Sequence, residues 1–283
     1  MKLLLLLFLL FILLYPFWVV HKQTLGFNEK IEKRPSDWPA EYEDIYYKTD
    51  DNLLLKGWWI PAKSNKAVLL LHGNGGNRNG YHSGVFELGK IYHNRGFNVM
   101  LVDLRAHGES SGKRVYFGVK EHKDMLSWLN TVDPKGKYEW YLHGFSMGAS
   151  TVLMMAESDP ERFVKVVADA PWIDFEALVK QELWKRAHLP SFAYSYVKWI
   201  AETFFDQDFV FADNRDRCKK LCKKEILYIF ESNDSLLSDY HYRLLKSICP
   251  SAEIKIFDGV AHVDAFKQHP DRYVQVLTEQ RSL

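Results

Sequence analysis

The chain has 283 residues, 47% hydrophobic, 26% charged and 15% aromatic. That is a globular composition, and it excludes disordered, collagenous and low-complexity classes. Lys and Arg number 37 against 36 Asp and Glu, and a formal charge of +1 leaves no basic footprint for nucleic acid. Three cysteines cannot build a disulfide framework; an odd count leaves at least one unpaired, or pairing between chains.

The chain opens on Leu3–Val20, an uncharged run of Leu, Ile, Phe, Val and Trp broken only by Tyr15 and Pro16. Eighteen helical residues reach about 27 Å, close to a hydrocarbon core of about 30 Å. A cleaved signal peptide would carry small residues before the cut, where Tyr15, Pro16, Phe17 and Trp18 stand instead. A buried core helix is disfavoured because no polar face exists to meet water. The run therefore reads as an uncleaved single-pass signal anchor over residues 1–21 in the cell membrane, followed by a polar tether over 22–40. Lys22, Lys30, Lys33 and Arg34 after the run favour a cytoplasmic catalytic domain. The very short amino-terminal flank favours the extracytoplasmic side, which is the side expected here.

From residue 41 to 283 strands and helices alternate. Tyr42–Lys48 and Leu53–Ile60 flank the turn cluster Thr49-Asp50-Asp51-Asn52 and predict an antiparallel hairpin. Six apolar runs follow: Ala67–Leu71, Phe97–Leu104, Tyr138–Leu142, Val164–Ala168, Ile226–Phe230 and Ile254–Phe257. Each runs into Gly, Asp or Asn, the pattern of strands buried on both faces of a parallel sheet. Helices are expected over Tyr81–Arg95, Val119–Asn130, Met147–Ser158, Leu236–Ile248 and Asp271–Thr278. The fold class is α/β, doubly wound. An aromatic-rich stretch over about 172–224 is too long for a structureless loop and predicts a helical cap insertion.

Gly144-Phe145-Ser146-Met147-Gly148 joins a predicted strand to a predicted helix. A sharp turn there needs small flanking residues and raises the central side chain above the sheet edge, so Ser146 is the candidate nucleophile. A serine hydroxyl needs a base. His262 lies just beyond the last predicted strand, on the edge where open α/β folds bind ligands. Of the other ten histidines, His72, His107 and His143 flank motif glycines. His82, His93, His122, His188, His241 and His269 read as surface residues of helices or cap, and His21 lies in the tether. The base needs a carboxylate to orient it: Asp234 is favoured, ahead of Asp169 and Asp264. Two N–H donors must hold an oxyanion; the backbone of Met147 and of Asn74, in His72-Gly73-Asn74-Gly75-Gly76, are expected to supply them.

Neither Gly73–Gly76 nor Gly84–Lys90 completes a nucleotide-binding motif. Cys218 and Cys222 lack a second ligand pair and read as one face of a short helix. No cofactor and no metal are expected. Asn233-Asp234-Ser235 is a glycosylation sequon whose glycan would obstruct the site, which disfavours an endoplasmic reticulum lumen. Nothing in the sequence sets an oligomeric state.

The His72–Gly76 loop, the stretch Asp103-Leu104-Arg105-Ala106-His107-Gly108-Glu109-Ser110, the Gly144–Gly148 elbow and the placement of Asp234 and His262 resemble the α/β-hydrolase superfamily. Within it, the chain is similar to bacterial membrane-anchored serine hydrolases of the serine-aminopeptidase-like and depalmitoylase-like branch. Ala106 departs from the pattern, where glycine is usual. The resemblance implies a mostly parallel eight-stranded sheet and hydrolysis through an acyl-enzyme on Ser146. The aromatic cap and the anchor favour an acyl or lipid-like carboxylic ester as substrate, with the membrane as partner. A serine peptidase or thioesterase on the same triad, or a membrane-tethered binding protein without catalysis, are the alternatives.

Overall fold

The structure is a computed structural model that describes residues 2–80 and 83–279, without the side chains of residues 3 and 5–9. An eight-stranded sheet runs in the order β1-β2-β4-β3-β5-β6-β7-β8. Strands β1 (Glu43–Lys48) and β2 (Leu54–Ile60) form the antiparallel hairpin, with Lys48 opposite Leu54. Its turn works because Asn52 takes the left-handed conformation at φ 64° and Thr49 N–H donates to Leu53 O.

β2 then pairs antiparallel with β4 (Asn98–Val102). The remaining neighbours are parallel: β3 (Lys66–Leu71) lies between β4 and β5 (Glu139–Phe145), followed by β6 (Phe163–Asp169), β7 (Ile226–Glu231) and β8 (Glu253–Phe257). β3 is covered on both faces, and Ala67 through Leu71 are wholly inaccessible. That is why its apolar run does not alternate. The chain reverses its order of addition around β3, so the loops leaving β3 and β5 open a crevice between them at one sheet edge.

Helix α1 spans Lys2–Gln23. Helices α2 (Val85–Asn94), α3 (Glu121–Val132) and α4 (Met147–Ser158) flank the sheet. Met147 through Ala156 are all buried, so α4 is apolar all round and lies sandwiched rather than on the surface. Between β6 and β7 stand α5 (Phe175–Ala187), α6 (Tyr194–Phe204), α7 (Phe209–Ala212) and α8 (Arg215–Lys220). Asp174 and Asp208 cap α5 and α7 by accepting the N–H of Ala177 and Phe211 at 2.8 Å each. After β7 come α9 (Tyr240–Ile248), α10 (Ala265–Gln268) and α11 (Pro270–Thr278).

Several expectations change. The helix expected from Tyr81 begins at Val85, and Tyr81 and His82 lie outside the described residues. The 22–40 stretch is not free chain. Phe27 N–H donates to Ala106 O at 2.7 Å, and Asn79 Oδ1 accepts the N–H groups of Glu32 and Lys33. His122 and His241 are buried, not surface residues, because each ring accepts or donates a backbone hydrogen bond inside the body. Cys222 lies beyond α8 and forms a disulfide with Cys249 at the end of α9, leaving buried Cys218 free. Sequence could not show this, because the two cysteines meet only once β7 and β8 pair.

The anchor expected over Leu3–Val20 falls partly on undescribed side chains; among the described residues no helix is long and apolar enough to cross a membrane. The last turns of α1 are instead seated on the helices after β6. Val19 and Val20 are buried, Phe17 packs on Phe204 and Phe205, and Tyr196 Oη–H donates to Leu13 O at 3.1 Å.

Candidate active site

Ser146 stands between β5 and α4 at φ 52° and ψ −113°, a conformation that costs a non-glycine residue about 1–3 kcal/mol. Its neighbours hold it there: Ser146 N–H donates to Asp169 O at 2.8 Å, and Ser150 N–H to Ser146 O at 3.1 Å. The flanking glycines are sterically required. A Cβ on Gly144 would come 2.2 Å from Gly148 O, and one on Gly148 would come 2.5 Å from Leu71 O.

Three loops from different strands converge on this serine. Ser146 Oγ–H lies 2.8 Å from His262 Nε2, and His262 Nδ1–H lies 2.5 Å from Asp234 Oδ2. The other carboxylate oxygen of Asp234 accepts the N–H groups of Leu236 and Leu237 at 2.7 and 2.8 Å. Asp234 is thus locked by its own loop with one oxygen aimed at the imidazole, which fixes the tautomer with Nε2 free to accept. The two rival carboxylates do not reach His262 Nδ1: Asp264 accepts from Gln268, and Asp169 accepts Tyr273 Oη–H at 2.6 Å beneath the site.

Asn74 and Met147 border the same cleft as Ser146. Among the described residues, neither backbone N–H is committed to a hydrogen bond. A Cβ on Gly73 would come 3.1 Å from Ser146 Cβ, so the loop after β3 lies directly over the serine. Met147 begins α4, whose positive dipole end faces the cleft.

Two buried histidines shape that loop. His72 Nε2 accepts the N–H of Leu104, and His107 Nε2 accepts that of Gly75. Burial lowers their pKa values to about 3 and about 4, so both stay neutral acceptors. Ala106 sits at φ 61°, left-handed backbone in which glycine is the unstrained residue.

The cleft encloses about 990 Å³ of empty space, open to solvent. Its walls are mostly apolar: Trp172, Phe175, Leu178, Leu183, Val197 and Phe209 from the segment between β6 and β7, and Val19 and Val20 from α1. The sequence reading missed the α1 wall, since nothing in a uniformly apolar run marks which turn will be seated. It also missed Glu231, the last residue of β7, which is buried beside Asp169. A charged residue closing an apolar strand run, next to a strand that also ends in a carboxylate, is the signal that could have found it.

Glu231, Asp234 and His262 each place one donor atom within 4.8 Å of the others, a spacing compatible with a metal ion. His262 Nδ1 already donates to Asp234, and both Asp234 oxygens are engaged, so hydrogen bonding accounts for two of the three, and Glu231 stands apart.

Comparison with known proteins bears on the fold. The family described as alpha/beta hydrolase fold matches residues 66–214. The Saccharomyces cerevisiae membrane protein YNL320W is 25% identical over 252 residues, 87% of this chain and 79% of that one. Caffeoylshikimate esterase of Arabidopsis thaliana is 28% identical over 197 residues, 66% of this chain and 55% of that one. The solved structure of esterase Pf2001 from Pyrococcus furiosus superposes with a TM-score of 0.72 at 28% identity, covering 90% of this chain and 97% of that one.

Proposed function

We propose that this chain, which belongs to the alpha/beta-hydrolase fold family, is a membrane-associated serine hydrolase that cleaves carboxylic esters with an apolar acyl group. One observation carries the reading: the Ser146–His262–Asp234 relay opens onto an apolar cleft.

Ser146 Oγ attacks the ester carbonyl carbon while His262 Nε2 takes the hydroxyl proton. Asp234 orients the imidazole and stabilises its charged form. The N–H groups of Asn74 and Met147 receive the oxyanion, each worth about 2.7–4 kcal/mol of barrier. The C–O bond to the leaving alkoxide breaks, and His262 returns the proton to it. Water then attacks the acyl-enzyme, giving its proton to His262, which passes it back to Ser146. The aromatic and aliphatic walls hold the acyl chain.

Membrane association is supported by α1, whose Phe11, Ile12, Leu13, Leu14 and Trp18 are exposed, and by the yeast relative being named a membrane protein. The Cys222–Cys249 disulfide favours an oxidising compartment, hence the extracytoplasmic side.

The test is fluorophosphonate labelling of the full chain in detergent, with p-nitrophenyl esters of increasing chain length as substrates. Wild type should label and turn over, and Ser146→Ala should do neither. A folded wild type that neither labels nor hydrolyses any ester overturns the reading.

A further inference from the structure

Beneath the triad two carboxyl groups lie side by side. Asp169 closes β6 and Glu231 closes the neighbouring β7; their exposures are 0% and 4%. Asp169 Oδ2 accepts Tyr273 Oη–H, whereas Asp169 Oδ1 has no donor among the described groups and Glu231 meets only the Val263 backbone N–H and Asp169 itself. Two ionised carboxylates in contact at such depth are strongly disfavoured by lost hydration and mutual repulsion.

A directional chain of hydrogen bonds identifies the anion of the two. Tyr273 uses its one proton on Asp169, so it must accept from His143 Nε2–H, at 2.9 Å. His143 Nδ1 is then the acceptor for Tyr92 Oη–H, at 3.1 Å. Every donor in this chain points toward Asp169. Glu231, with no side-chain donor of its own, must bring a proton to the pair.

We propose that Glu231 and Asp169 share a single proton, and that the resulting buried monoanion is a positioning group for His262, additional to Asp234. The inference rests on His262 being the base of the hydrolase reading. The groups bearing on the pair are Asp234 and His262 from the loops after β7 and β8, the Val263 backbone, and Tyr273 from α11. Burial raises both carboxyl groups, and the Asp169 charge raises Glu231 further. Glu231, Asp234 and His262 each place a polar atom within 4.8 Å of the others, so the pair's charge reaches the imidazole. The shared proton stays on the pair throughout; the reaction's proton moves only between Ser146, His262, the leaving group and water. The pair's negative charge stabilises each imidazolium that forms above it.

The experiment uses the full chain in detergent micelles with p-nitrophenyl butyrate as the probe. Infrared difference spectra at pH 8 should show the carbonyl stretch of a protonated carboxylic acid that is absent in Glu231→Gln. In the pH profile of kcat/KM, Glu231→Gln keeps one anion and one neutral donor, so its acid limb should stay on that of wild type. The double variant Asp169→Asn with Glu231→Gln removes the charge, and its acid limb should move down by about half a pH unit. A missing carbonyl band, or a folded double variant with an unmoved acid limb, overturns the proposal. Failure of wild type to react with fluorophosphonate overturns the hydrolase reading instead, and leaves the infrared band as a separate test of the shared proton.

Discussion

His107 Nε2 accepts the backbone N–H of Gly75 at 3.2 Å while its Nδ1–H donates to Arg105 O at 2.9 Å. One neutral ring thereby ties the loop after β4 to the loop that lies over Ser146. The burial-lowered pKa of His107, about 4 against an ordinary 6.5, gives this link a pH dependence. The unfolded chain protonates near 6.5 and the native ring does not, so the unfolded state binds more protons between the two values. This stability is complete above about pH 6.5 and falls as pH drops toward 4, by about 1.4 kcal/mol per pH unit. His107→Gln should remove that dependence, so that the stability gap between wild type and variant narrows on acidification. Urea unfolding at pH 7 and pH 5 measures it.

Ser146→Ala should lower kcat by on the order of 10⁶ and Asp234→Asn by on the order of 10⁴. Asp234→Asn loses less because Ser146, His262 and the N–H groups of Asn74 and Met147 all remain in place. Both variants should keep the wild-type melting temperature to within a few degrees. Steady-state kinetics with calorimetry on the same samples separates lost chemistry from lost fold.

Gly148→Ala should behave in the opposite way. Its Cβ would lie 2.5 Å from Leu71 O and 2.6 Å from His72 O, so β3 and α4 must part. A destabilisation of about 1–3 kcal/mol or more is expected, with the melting temperature falling along with activity. A stable Gly148→Ala protein would show that the elbow has room the structure does not give it.

Alkylation of the unfolded, unreduced protein should modify one cysteine, Cys218, and alkylation after reduction should modify three. Cys222→Ser opens a loop of sequence separation 27 and should cost about 3–4 kcal/mol by the chain-entropy argument. Thiol counting by mass and denaturant unfolding of the variant check the two parts separately.

Val20 at the end of α1 lines the cleft. Val20→Trp should cut kcat/KM for p-nitrophenyl octanoate by about tenfold or more while changing the acetate ester by less than about threefold. Equal losses on both esters would mean that α1 does not bound the acyl site.

The sharp turn that carries Ser146 was legible in the sequence because its determinants are local. Gly144 and Gly148 make room for a tight strand-to-helix turn, and the apolar run before them marks a doubly covered strand. His262 and Asp234 were legible for a related reason: each follows a strand run, and parallel strands deliver all such loops to one sheet edge. The hairpin was equally local, carried by turn residues such as Asn52.

Tertiary structure decided the rest, since it depends on which distant segments become neighbours. That His122 and His241 are buried follows from backbone groups arriving from elsewhere in the chain or from the turn beneath them. The Cys222–Cys249 link requires β7 and β8 to pair, and the seating of α1 requires the helices after β6. The Asp169–Glu231 contact joins residues 62 positions apart, counting from 169 to 231, and exists only because β6 and β7 are adjacent. Periodicity and turn chemistry are properties of a stretch of chain, and they determine what each element is. Burial and proton sharing are properties of pairs that packing brings together, and only the assembled sheet sets them.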